Sequence, residues 1–194
     1  TRKWLTTMDQ TRHQAEILLN NVSISTSALM STEAQAWPQL QKIISLAKIA
    51  VSAEQMGGAQ EMLDKTVAFT QERIQFGRSI ASFQAIKHKA ADMMLKCEVA
   101  RSAVYYAACV AQEAMSADGD TTIAAELDEA AAMAKCYCSD TFFFNAGSAI
   151  QMYGGVGFTW EYDVHLYFKR AKASELFLGN GAQQRELIAQ MLLD

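Results

Sequence analysis

The sequence predicts a mainly α-helical protein, an antiparallel up-and-down helical bundle preceded by a short β remnant. Three observations predict it. Apolar residues recur at spacings of three and four from Gln39 onward. Ala, Leu and Met are abundant and there is a single proline among 194 residues; the first three lose little on entering a helix, whereas proline breaks one. The breaks between periodic segments are short and contain glycine, which makes successive helices antiparallel neighbours.

Residues 2–31 differ from the rest. Trp4-Leu5-Thr6-Thr7 and Ala15-Glu16-Ile17-Leu18-Leu19 are short apolar runs, Asn20-Asn21 suits a turn, and Val22-Ser23-Ile24-Ser25 alternates with strand period. Two or three strands are expected, too few for a stable sheet alone. The first long helix is expected from about 38 to 74, carried by Ile43, Ile44, Ala47, Ala50, Val51, Met56, Ala59, Leu63, Val67 and Phe69, with Pro38 in its first turn. Gly57-Gly58 in its middle implies close contact with a neighbouring helix. A glycine turn at Gly77 leads to a second helix from about 82 to 116. A third runs from Thr121 to about Tyr153, capped by Thr121/Thr122 and stopped by Gly154-Gly155. Shorter helices near 161–171 and 181–193 complete the chain.

The net charge of −4 is mild and no basic stripe appears, which argues against a nucleic-acid partner. Cys97, Cys109, Cys136 and Cys138 lie inside helical patterns without paired zinc spacing, so they read as reduced structural thiols of a cytoplasmic protein. The run from Thr141 to Trp160 carries no charge, but Asn145, Gln151 and Gly154-Gly155 make it a buried helix end and turn rather than a membrane span. The chain starts at Thr1 without the apolar core of a signal peptide, and the expectation is a fragment or processed chain. A di-iron bundle would need Glu-x-x-His pairs on two helices, and His13, His88 and His165 show no such spacing.

Two segments carry chemistry. From Arg73 to Gln84 the chain places a fixed cation, an aromatic ring, a tight glycine turn and two amides close together. Arg73 offers a bidentate fork to a pyrophosphate, Phe76 a flat face, Gly77 close approach, and Gln75 and Gln84 bonds to ribose or adenine edges. Taken singly, Arg73 also suits a helix C-terminus and Phe76 a core plug. The second segment, Gln151-Met-Tyr-Gly-Gly-Val-Gly-Phe158, reads alone as a helix stop whose Gly154 and Gly155 leave the backbone accessible.

With these two segments the chain resembles the acyl-CoA dehydrogenases, which carry Arg-x-x-Phe-Gly followed by a Gln, and Gln-x-x-Gly-Gly-x-Gly-[Phe/Tyr]. The resemblance implies that residues 36–194 are the family's C-terminal helical domain and that residues 1–31, with Thr7-Met8-Asp9-Gln10-Thr11-Arg12, are the end of its middle β-domain. It implies FAD as cofactor. Arg73, Gln75, Phe76, Gln84, Gln151, Gly154 and Gly155 would reach the adenosine diphosphate half of a flavin held by a neighbouring subunit. It further implies α,β-dehydrogenation of an acyl-CoA thioester in lipid or steroid catabolism. The assembly would be a homo- or hetero-oligomer, a dimer of dimers, passing electrons to an acceptor such as an electron-transfer flavoprotein. Tyr162, Lys169-Arg170-Ala171-Lys172 and Gln184-Arg185 also fit.

The resemblance departs at the base. Family members carry Glu-Gly-Thr where this chain has Leu178-Gly179-Asn180, and an amide where it has Ala182. The alternative base position, on the first long helix, holds Ala47. Neither Leu178 nor Ala47 exchanges a proton. Glu54, two turns beyond Ala47, is the candidate base on that helix; it and Glu161 read first as paired or structural residues. Two functions follow: an oxidoreductase contributing FAD contacts across a subunit interface, or a non-catalytic partner subunit of an α2β2 enzyme whose base lies on another chain.

Overall fold

The computed structural model describes residues 1–193, the side chains of residues 33 and 34 excepted; Asp194, the last residue of the expected bundle, lies outside the described residues. The chain opens with an antiparallel hairpin, β1 (Arg2–Leu5) on β2 (Gln14–Ile17), in the register Arg2↔Ile17 and Leu5↔Gln14. A bundle follows: α1 (Glu33–Glu72), a second small hairpin of β3 (Ile74–Gln75) and β4 (Arg78–Ser79), then α2 (Gln84–Met115), α3 (Thr121–Ala124), α4 (Leu127–Tyr153), α5 (Val164–Leu176) and α6 (Gly181–Leu193).

Side-chain bonds between helices fix their directions. Along α1, Lys42 bonds the Ala114 carbonyl and Gln60 accepts from Arg101, so α2 runs antiparallel to α1. Ser45 bonds Asp128, Gln55 bonds Ser139, and the Ala59 carbonyl accepts from Asn145, so α4 runs parallel to α1. Lys135 bonds the Glu175 carbonyl while Phe143 packs on Phe168, which turns α5 back along α4. Cys136 lies against the Gly181 carbonyl and Arg185 pairs with Asp140, so α6 turns again. The expected up-and-down bundle is the observed one.

Helix α4 is its centre. It packs on α1, α2, α5 and α6 and is buried nearly all round, as a helix apolar on every face must be. Ala130, Ala131, Ala134, Ala146 and Ala149 keep its surface narrow. At one end Leu127 and Ala131 pack with Ile49 and Val110; at the other Phe142, Ile150 and Tyr153 pack with Met62, Met93 and Cys97. Gly58 of α1 is required there, because a Cβ would lie 2.5 Å from the Phe142 ring. Gly57, expected to share that role, faces open space.

Several local expectations are corrected. Val22–Ser25 forms no strand, since no partner strand lies beside it. Helix α1 begins at Glu33, so Pro38 lies beyond the first turn; residues 35–43 are exposed, and water can serve the carbonyl left without a donor. The helix expected from Thr121 is broken at Ala125–Glu126. Asp120, not Thr121 or Thr122, caps its first piece by accepting from the amides of Thr122 (2.8 Å) and Ile123 (3.3 Å). The offset leaves Ile123 on the surface and sends Leu127 into the core. Helix α5 starts and ends later than expected, at Val164 and Leu176. All four cysteines are free. Among the described residues no helix is long and apolar enough to cross a membrane.

The first hairpin is tied to the bundle by ions. Buried Asp9 accepts from Arg170 Nε at 2.5 Å and from the Thr11 amide at 2.9 Å, and Glu54 of α1 accepts from Arg12 (2.6 Å) and Arg170 (2.7 Å). Burial alone would raise both carboxyls, but the bonds from Thr11 and Arg170 to Asp9, and from Arg12 and Arg170 to Glu54, outweigh it and hold both below their ordinary values. Their stabilisation is therefore present above the ordinary carboxylate range, near pH 4, and lost as pH falls through the lowered folded values.

Two outcomes follow from the packing and the ion cluster. Gly57→Ala should raise stability by about 0.5–1 kcal/mol and Gly58→Ala should lower it by about 1–3 kcal/mol, read by urea unfolding. The hairpin should detach in acid before the bundle melts. Proteolysis within residues 6–13 should accelerate below about pH 4, and Asp9→Asn should show the same cleavage at neutral pH; unchanged cleavage would assign no tethering role to the cluster.

Candidate functional site

The end of α1, the β3–β4 hairpin, the start of α2 and the end of α4 enclose one groove of about 550 Å³. Arg73, Gln75 and Phe76 line it from one side, and Gln151, Gly154 and Gly155 from the other. Two motifs far apart in sequence thus meet because α1 and α4 run in parallel and end together. Beneath them, Phe69 stacks on Tyr153 with ring centres 3.9 Å apart, and Tyr162 meets both rings edge-on. The Tyr153 hydroxyl, bonded to the Lys65 carbonyl at 3.2 Å, fixes this floor to α1.

The hairpin is a two-residue turn in which Phe76 (φ 55°) and Gly77 (φ 75°) are both left-handed, the geometry of a type I′ turn. Glycine adopts it freely, but for a bulky residue it is strained. Phe76 is also 89% exposed, so its ring is no core plug. Its strain is sustained by a well-anchored frame. The Arg73 carbonyl accepts from the Ile80 amide at 2.9 Å, Ser79 Oγ donates to the Thr70 carbonyl at 2.9 Å, and Phe83 meets Phe76 nearly at right angles, with Arg78 over the Phe83 ring at 4.0 Å. Strain kept at an exposed aromatic is a mark of a binding element.

Arg73 follows the last residue of α1 and is exposed. Among the described residues, none of the ion pairs involves it. At the opposite wall Gly154 ends α4 with φ 65°, which only glycine adopts readily. Gly155 is different: it has no left-handed φ, and a Cβ there would meet nothing within 4 Å. Neither backbone conformation nor internal packing requires a glycine at 155. Gln84 does not line the groove; it begins α2 and its amide bonds His88 at 2.8 Å.

The groove offers an unneutralised cation, an exposed ring, side-chain amides and bare backbone beside an aromatic floor. This donor set fits an anionic, aromatic ligand such as a dinucleotide. Phe69, Ile80, Phe83 and Tyr153 complete it and were not singled out from sequence. Phe69 read there only as a helix-period apolar residue, and Tyr153 only as the end of a helix within the Gln151–Phe158 segment.

The candidate base positions give no base. Ala47 is half-buried on α1, and Leu178 sits at φ 59° in the turn between α5 and α6. Glu54 is held ionised between Arg12 and Arg170, both its oxygens engaged, which lowers its basicity. Glu161 is exposed in the turn before α5.

The family model described as "Acyl-CoA dehydrogenase, C-terminal domain" matches residues 35–193. The acyl-CoA dehydrogenase IpdE2 of Mycolicibacterium smegmatis is 38% identical over 152 residues, covering 78% of this chain and 44% of that protein. An acyl-CoA dehydrogenase of Bacillus subtilis is 30% identical over 178 residues, covering 92% of this chain and 44% of that protein. The solved butyryl-CoA dehydrogenase of Megasphaera elsdenii superposes with a TM-score of 0.90 at 28% identity, covering 100% of this chain and 49% of that one. The chain thus spans less than half the length of these relatives. Since the family match takes in residues 35–193, well over half of the chain, the chain belongs to the acyl-CoA dehydrogenase family.

Proposed function

We propose that this chain is part of a flavin-dependent acyl-CoA dehydrogenase and lends its groove to FAD bound mainly by a neighbouring subunit. The observation that carries the reading is Gly155, which has open space where a side chain would fit and no conformational need to be glycine. Bare backbone at that point serves a contact from outside the chain. Bound FAD would supply the hydride-accepting ring system. The chain's residues would do the holding: Arg73 grips a phosphate, Phe76 covers a flat ring, and Gln75 and Gln151 complete the polar contacts within the groove, with Gln84 outside it at the start of α2. The reaction class is α,β-dehydrogenation of an acyl-CoA thioester, with electrons passed on to an acceptor such as an electron-transfer flavoprotein. Residues 1–31 would close a middle β-domain, and 36–194 form the C-terminal domain. Free thiols favour a cytoplasmic setting.

A second reading has its own observation. The residues that would face a neighbour's flavin are intact, whereas the base positions hold Ala47 and Leu178 and the adjoining flavin positions hold Asn180 and Ala182. That asymmetry fits a partner subunit of an α2β2 enzyme in which the other chain carries the glutamate.

Flavin retention tests the first reading. In the assembled oligomer Arg73→Ala should weaken retention by about 1.5–3 kcal/mol, the worth of a charge-assisted bond to phosphate. Gly155→Ala should weaken it as well, while leaving the melting temperature unchanged or slightly raised. Full flavin affinity in both variants would remove the groove from cofactor binding.

Turnover separates the two readings. The chain alone should not bleach flavin with any acyl-CoA, because a positioned base contributes on the order of a hundred- to ten-thousand-fold. Leu178→Glu should not rescue it, since Asn180 and Ala182 stay changed. Co-assembly with a chain that bears the glutamate should restore bleaching. Bleaching by this chain alone would refute the partner-subunit reading and make Glu54 and Glu161 the next residues to mutate.

A further inference from the structure

Lys135 is 0% exposed, in the middle of α4. A fully buried lysine is rare unless a carboxylate pairs with it. Here the partners are Ser139 Oγ at 2.9 Å and the backbone carbonyls of Glu175 and Gly179, each at 3.1 Å. All three ammonium protons are used. Deprotonated, the amine still donates to both carbonyls, and it can accept from Ser139 if that hydroxyl turns its one proton away from Gln55 Oε1, to which it donates at 3.2 Å. The Glu175 carboxylate pairs instead with Lys172, at 2.9 Å.

What lies opposite Lys135 explains its place. Helix α5 ends there with no basic residue in its last turn, leaving terminal carbonyls and the negative end of the helix dipole without a cation of their own. The turn beyond is strained: Leu178 (φ 59°) and Gly179 (φ 96°) are both left-handed. The carbonyls of the helix end and the turn are taken by two buried side chains, Glu175 of α5 and Gly179 by Lys135, and Leu178 by Gln184 Nε2 at 2.9 Å. Ser139 links the clamp to Gln55 of α1, which bonds Ser174 of α5.

We infer that Lys135 is a positioning residue, a clamp from the bundle centre that holds the 177–180 turn in its left-handed conformation and so fixes where Leu178 and Asn180 stand. That these are the positions facing acyl-CoA and flavin rests on the proposed function; the clamp itself does not.

The titratable groups around the amine are Glu175 of α5, Lys48 of α1, and the buried thiols Cys136 and Cys138 of α4 itself. Burial dominates them and pushes the ammonium down to about 8 from 10.5. Opening the turn to water returns the amine to its ordinary value, so the open form binds more protons above the closed pKa. Turn protection should therefore rise with pH between about 8 and 10.5.

Hydrogen exchange on the full chain, without flavin or acyl-CoA, tests the clamp independently of the functional reading. At about pH 9, Lys135→Met should lower protection of the 175–182 segment about ten-fold or more, while residues 93–110 of α2 keep theirs. In the unmodified chain, protection of 175–182 relative to the intrinsic rate should rise as pH passes 8, and the α2 segment should show no such rise. Equal loss in both segments, or no loss in 175–182, would make Lys135 an ordinary core residue. Should the variant fail to fold, the pH profile of the unmodified chain decides: a flat profile in 175–182 would overturn the clamp.

Discussion

Everything in this molecule is arranged around the need to bury α4 on all sides. A helix with alanine and phenylalanine spread round its circumference has no face to give to water. Four other helices supply the cover. The small residues of α4 let those neighbours approach, and Gly58 of α1 yields the space that Phe142 fills. The polar residues that α4 takes inside then become obligatory junctions, because a buried donor without a partner is costly. Asn145 joins α4 to the carbonyls of Ala59 and Met93, and Ser139 and Lys135 join it to α1 and α5.

The same constraint builds the groove. With α1 and α4 parallel and in contact, their C-termini emerge side by side, and the segments that follow them share one surface. The hairpin after α1 brings Arg73 and Phe76; the stop of α4 brings Gln151, Gly154 and Gly155. The aromatic stack of Phe69 and Tyr153 joins the two helix ends and holds the walls apart. Phe76 in a left-handed conformation and a glycine without an internal reason are local departures from a consistent fold, and such departures gather at functional sites.

Much of this was legible in the sequence, for identifiable reasons. Long helices announce themselves by sustained periodicity, and Gly154-Gly155 by the stop it imposes. The two motifs could be read as residues, but not as one groove, since their meeting depends on helix directions. Pro38 misled about the start of α1 because an exposed helix end tolerates a missing amide. Val22–Ser25 alternates without a partner strand, and Asp120 took the cap expected of Thr121 because its carboxylate accepts two amides at once. Lys135 was illegible: in an alanine-rich helix a lysine reads as a solvated residue, and only the end of α5 beside it gives it a role.

On the proposed reading, the chain joins an outward-facing groove to a turn that carries Leu178 at the position expected of a base. A structure of the flavin-loaded oligomer addresses that combination most directly. The expected result is a flavin whose adenosine diphosphate half lies in the groove between Phe76 and Gly155 of this chain, while its ring system rests on a neighbouring subunit. A flavin held instead by Asn180 and Ala182 of the same chain, with the groove filled by protein side chains, would contradict it.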